Sequence, residues 1–114
     1  MREVLRKEQG YEMELRNDSL LIVNGIIPEK VYYGIGSSTT RTHWKGQGIN
    51  TSILVAELER RFGIYLKDAV SLSGPFEISF PLANFAEAKA FLEKQYGFYF
   101  SPSIVEVQFT EFSK

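Results

Sequence analysis

The sequence predicts an α+β fold: a ferredoxin-like β-α-β-β-α-β two-layer sandwich with an extra N-terminal β-hairpin. Three observations carry this. Residues 50–66 (NTSILVAELERRFGIYL) and 84–100 (NFAEAKAFLEKQYGFYF) align without a gap and share Asn50/Asn84, Ala56/Ala90, Leu58/Leu92, Glu59/Glu93, Gly63/Gly97 and Tyr65/Tyr99. Each copy reads as helix cap, helix, glycine stop and strand. Stretches of strict apolar–polar alternation flank the copies, as half-buried strands require. Two βαβ halves with right-handed crossovers would then place both helices on one face of a four-stranded antiparallel sheet.

The elements follow in order. Tyr11, Met13 and Leu15 alternate with Glu12, Glu14 and Arg16, which predicts a strand. Asn17-Asp18-Ser19 reads as a turn and Leu20–Val23 as a second strand, which together make the N-terminal hairpin. Val31–Ile35 reads as a third strand, and Gly34 to Gly48 as a long loop. Asn50, Thr51 or Ser52 caps a helix running to Phe62, with Leu54, Leu58 and Phe62 as its apolar stripe. Gly63 stops it, because a left-handed residue costs least without a Cβ. Ile64–Leu72 and Phe76–Phe80 read as strands paired through Ser73-Gly74-Pro75. Asn84 and Glu87 open a second helix, with Phe85, Ala88, Leu92 and Tyr96 inward, and Gly97 ends it. Val105, Val107 and Phe109 point one way along the final strand, which Pro102 interrupts. The 114 residues make one domain: 1–28 an N-terminal arm and hairpin, 30–112 the duplicated βαβ core.

Composition excludes several classes. A formal charge of −1 selects neither nucleic acid nor membrane as partner. The absence of cysteine excludes disulfides, thiol nucleophiles and zinc–thiolate sites, and fits a reducing, cytoplasmic setting. One histidine cannot build a multi-imidazole metal site, so no metal and no cofactor is expected. The charged start MREVLRKEQG is no signal peptide, and the apolar run Leu20–Val23 is far short of a membrane span. An RNA-recognition domain shares the element order but needs exposed aromatics on its central strands, where FEISF offers Glu77 and Ser79.

One segment breaks the symmetry between the halves. Strand and helix are joined by Pro81-Leu82-Ala83 in the second half and by Gly36–Ile49 in the first. The longer junction holds Ser37, Ser38, Thr39, Thr40, Arg41, His43, Trp44 and Lys45, and leads into Asn50. No acid occurs between Lys30 and Ala56. Hydroxyls, an arginine and free amides at a helix N-terminus suit oxyanions, and an indole suits stacking on a ring. These residues are the candidate ligand site for a phosphate- or nucleotide-bearing small molecule. Acylphosphatases carry a phosphate-cradling loop at a similar strand-to-helix junction, but their G-x-V-Q-G-V-x-F-R pattern is absent from GIGSSTTRTHWKGQG. As a weak catalytic candidate, His43 would need an acid from elsewhere, such as Asp68, Glu77 or Glu106.

A two-layer sandwich leaves one sheet face open. Tyr32, Tyr65 and Tyr99 fall on it among polar residues, which suits a protein interface. The leading expectation is therefore a non-enzymatic binding or assembly protein, of adaptor or inhibitor type, that associates with itself or a protein partner through its sheet. The alternative is phosphate or nucleotide binding, extending to a small hydrolase, by the 36–49 loop.

Overall fold

The structure, a computed structural model, describes residues 2–26 and 34–111, and the surroundings of side chains over 5–26 and 34–107. The alternation begun by Tyr11, Met13 and Leu15 runs back to the start of the chain, giving one long strand, β1 (Arg2–Leu15). The predicted hairpin does not follow it. Leu20–Val23 lies in helix α1 (Asp18–Gly25), capped by the Asn17 side chain, which accepts from the Leu20 amide at 3.4 Å. A four-residue apolar run has no period of its own, so the cap and Asp18 in the first turn decide for helix. The predicted strand Val31–Ile35 falls largely outside the described residues, as does Tyr32.

The predicted loop 34–48 is instead mostly a hairpin of β2 (Gly36–Thr39) and β3 (His43–Ile49). Glycines masked its alternation: Trp44, Gly46 and Gly48 face inward, and His43, Lys45 and Gln47 face out. Gly46 is there for space. A Cβ on it would meet the Trp44 ring at 2.5 Å and Ile49 Cγ2 at 3.0 Å.

The duplicated segments fold alike. In α2 (Thr51–Phe62) the Asn50 side chain accepts from the Ile53 amide at 2.8 Å. β4 (Leu66–Asp68) follows, then β5 (Phe76–Pro81). In α3 (Phe85–Tyr96) Asn84 accepts from the Glu87 amide at 2.8 Å. Both helices end on glycine in the left-handed region, Gly63 at φ 63° and Gly97 at φ 78°. The last strand is β6 (Phe98–Glu111). β4 starts two residues after Ile64 and stops four before Leu72, the ends of the predicted strand, and it stops there because Asp68 turns the chain. Its Oδ1 accepts from the amides of Val70 and Ser71 at 2.9 and 3.0 Å.

The fold is α+β, with three helices and two three-stranded sheets among the described residues, the sheets ordered β4-β1-β6 and β2-β3-β5. This corrects the expected single four-stranded sheet. β5 pairs antiparallel with β3 and not with β4. β1 enters between the exit strands of the two repeats, parallel to β4 over Tyr11–Met13 and antiparallel to β6 over its whole length. In place of a β4–β5 pairing, the long N-terminal strand lies beside both exits. Equivalent repeat positions fill one core: Leu58 and Leu92, Leu54 and Ala88, Leu66 and Phe100 are all buried, together with Met13, Trp44, Ile78, Phe80 and Phe98. Such clusters supply the main favourable term in folding.

The body where the two sheets and the helices pack together accounts for only part of the molecule's length. Beyond its contact with β4, β1 pairs among the described residues with β6 alone, so residues 2–9 and 104–111 form a two-stranded ribbon. At ~3.3 Å per residue the ribbon projects about 26 Å. It accounts for overall extents of 54 × 28 × 28 Å.

Candidate functional site

The residues proposed for anion binding are spread along the β2–β3 hairpin. Ser37, Ser38 and Thr39 lie exposed on edge strand β2. Thr40 organises the turn: its amide donates to the His43 carbonyl at 2.9 Å, and its Oγ1 accepts from the His43 amide at 3.1 Å. Arg41 is exposed at the turn, and Thr39 Oγ1 accepts from Arg61 at 3.1 Å. Trp44 is 1% exposed and packs on Phe80 at 5.2 Å between ring centroids, so it offers no face to a ligand. Lys45 is paired with Glu77 at 2.8 Å. That ammonium, then the Gln47 amide at 2.9 Å, hold the Glu77 carboxyl below its ordinary value of 4.5.

Strand geometry decides whether these groups can act together. β3 spans seven residues between the turn and Asn50. At ~3.3 Å each, it separates Arg41 from the α2 N-terminus by about 23 Å. One phosphate cannot touch both. Asn50 is also committed to the helix as its cap. The hairpin therefore holds the right groups in an extended row, with the indole in the core and the lysine neutralised.

His43 is exposed, its Nδ1 2.9 Å from Thr42 Oγ1 and its ring 6.3 Å from that of Phe91. Of the acids considered as its orienting partner, Asp68 and Glu77 are engaged elsewhere and Glu106 sits on the ribbon. Among the described residues no group of three or more carboxylate or imidazole side chains is placed to hold a metal ion.

The start of α2 does carry a polar cluster, and it is structural. Thr51, 1% exposed, donates from Oγ1 to Asp68 Oδ2 at 2.8 Å and accepts from the Leu72 amide at 3.0 Å. This ties α2 to the 69–72 turn. An adjoining depression of about 410 Å³, lined by Asn50, Thr51, Ser52, Asp68 and Ser71–Ser73, has the Asp68 oxygens already occupied.

The β4-β1-β6 sheet offers more. One face is core: Met13, Phe98 and Phe100 are buried. The other is solvated. Tyr99 is 37% exposed, with the Arg16 guanidinium 4.4 Å from its ring centroid, and Lys67 lies 3.7 Å from Glu12. Tyr65 comes down on β1 at Gly10, where a Cβ would stand 2.9 Å from the Tyr65 Cβ, and its carbonyl accepts from the Tyr11 amide at 2.9 Å. Of the three candidate interface tyrosines, Tyr99 lies on β6 of this sheet, Tyr65 immediately precedes β4, and Tyr32 lies outside the described residues. Where the ribbon leaves the body, Gln9, Gly10, Tyr11, Pro102, Ser103 and Ile104 line an open depression of about 700 Å³. Leu5 and Ile104 on the ribbon are 68% and 58% exposed.

The ribbon is the feature that sequence reasoning missed. Val105, Val107 and Phe109 alternate as core residues do, and periodicity cannot tell a core strand from a projecting one. The available signal was Pro102, which marks an edge strand. Among the described residues no helix is long and apolar enough to cross a membrane. No protein-family model, no curated protein and no solved structure matches the chain.

Proposed function

We propose that the chain is a non-enzymatic binding and assembly module that self-associates through its β4-β1-β6 sheet. One observation carries this: among the described residues β6 is a 14-residue strand paired on one side only, to β1, and it ends in a two-stranded ribbon with exposed Leu5 and Ile104. An unpaired edge of that length is a template for another strand. A ribbon of two strands is also marginal in water by itself, whereas three or more strands are not. Tyr65 and Tyr99 on the solvated face add aromatic area of the kind protein interfaces use. The order of elements from His43 to Glu111, β-α-β-β-α-β, supports reading the scaffold as a rearranged ferredoxin-like unit.

Sedimentation velocity over a concentration series tests the proposal. The expected result is a mass that rises from monomer to dimer with concentration. A monomer mass up to millimolar concentration would overturn it.

A further inference from the structure

We infer that the self-association proposed above uses one defined edge and register: β6 of one chain pairs antiparallel with β6 of a second copy, about a twofold axis at Val107. This rests on the assembly reading and specifies its geometry.

The backbone of β1 shows which groups of β6 are free. The Tyr11 amide donates to the Tyr65 carbonyl, and the Met13 carbonyl accepts from the Ala69 amide at 3.0 Å. Tyr11 and Met13 therefore turn their peptide groups away from β6. Their partners across the ladder are Pro102 and Phe100. In antiparallel sheets such non-hydrogen-bonded pairs alternate with hydrogen-bonded ones. The Arg16 amide donating to the Gly97 carbonyl at 2.9 Å fits the same alternation. The register has no bulge from Arg2↔Glu111 to Leu15↔Phe98. Hence the even-numbered residues of β6, from Phe98 to Thr110, turn their N–H and C=O groups to the open edge.

Pro102 is one of these. Its missing N–H falls on the open edge, where it costs no bond to β1 and blocks strand addition next to the body. Beyond it no further proline interrupts the outward groups of Ile104, Glu106, Gln108 and Thr110.

A second copy suits that edge. With the axis at Val107, Glu106 pairs with Gln108 of the second copy and Ile104 with its Thr110. Both are pairs of even-numbered, outward-turned residues, as hydrogen bonding needs. Val107 meets Val107, and Val105 meets Phe109. No like charges are opposed. Moving the axis by one residue to Glu106 sets two glutamates against each other, which is unfavourable. Moving it to Val105 brings Pro102 into the ladder. The same contact patch serves both partners, as a twofold dimer requires. The two ribbons then become one four-stranded sheet.

The test uses the full chain. Glu106→Pro removes an outward N–H and leaves the β1–β6 bonds intact. It is expected to raise the dimer dissociation constant by about tenfold or more, since symmetry removes the lost bond twice. Its circular dichroism should match the wild type. The chain has no cysteine, so Val107→Cys adds a single thiol. Non-hydrogen-bonded partners stand about 4.5 Å apart at Cα, within disulfide reach. Val107→Cys is expected to cross-link into a covalent dimer under mild oxidation, and Ser101→Cys is not. A wild-type dimer that neither Glu106→Pro weakens nor Val107→Cys captures would overturn this register and leave the assembly reading standing. A wild-type monomer at every concentration would overturn both.

Discussion

Gly63 and Gly97 occupy the same place in the two repeats, yet replacing them with alanine should have unequal cost. Both are left-handed, and a Cβ there costs about 1 kcal/mol. For Gly63 nothing else is added, because no atom lies within 4 Å of the new Cβ. For Gly97 the Cβ would stand 2.8 Å from Asn17 Cβ and inside contact distance of the Asn17 carbonyl. That backbone cannot simply retreat. The amides of Arg16 and Asn17 both donate to the Gly97 carbonyl, at 2.9 and 3.3 Å, and Asn17 caps α1. Relief means losing one or two hydrogen bonds and weakening the cap, at about 1 kcal/mol each. The total for Gly97→Ala is then about 3 kcal/mol or more. The unfolded chain is stiffened equally by either alanine, so that effect cancels in the comparison.

The melting temperature reads the difference. A chain of 114 residues has an unfolding entropy near 240 cal/mol/K, so each kcal/mol moves Tm by about 4 °C. Gly63→Ala should lower Tm by about 4 °C and Gly97→Ala by about 12 °C. Asparagine provides the control, since it tolerates the left-handed region. Gly63→Asn should recover most of the loss, and Gly97→Asn should not. Equal losses for the two alanine variants, within about 0.5 kcal/mol, would refute the claim that Gly97 is held by contact and Gly63 only by its φ angle.

Three further outcomes are expected. Thr51→Val should lose about 1–3 kcal/mol in urea unfolding, because Asp68 and the Leu72 amide both lose a buried partner, while Thr51→Ser should lose less. Glu77 has a lowered pKa, so its pairing stabilises the fold above the ordinary value of 4.5 and is lost as pH falls below it. The stability difference between wild type and Glu77→Gln should be present at neutral pH and shrink through that acid range. Being partly exposed, the pair should show a small difference that salt reduces further. Phosphate and nucleotides at millimolar concentration should leave Tm unchanged in the wild type and in Arg41→Ala. A ligand-induced rise that Arg41→Ala abolishes would restore the anion site on the hairpin.

What the sequence made legible was local. Asn50, Asn84, Gly63 and Gly97 mark the helix ends because caps and stops act within one turn of chain. Leu54, Leu58 and Leu92 were readable as core from helical spacing alone. Pairing partners were not readable. The alternation in FEISF fits β5 against β3 as well as against β4, since a period of two names a face and not a neighbour. Leu20–Val23 was too short to show a period, and Gly46 and Gly48 hid the one in β3. Of the site, the hairpin residues were individually noticed, but their separation along β3 only follows from their being extended. Trp44 looked free because the glycine that makes room for its ring also made the segment look like loop.

Comparing the two repeats still locates what is special about this chain, though in a different place. The repeats account for α2, α3 and their exit strands, β4 and β6. In a symmetric molecule those exits would be equal. Instead β4 ends at Asp68 after three residues and β6 continues for fourteen, while β1 has grown to match β6 and not β4. No residue of the shared pattern lies in the last eight pairs of that ladder. β4 runs parallel to β1 from Tyr11↔Leu66 to Met13↔Asp68, so a longer β4 would extend toward Leu15 and away from the ribbon, whereas a short β6 would have left no ribbon. The ribbon follows from β1 and β6 running on together beyond the start of β4, with Pro102 closing the part of the β6 edge nearest the body.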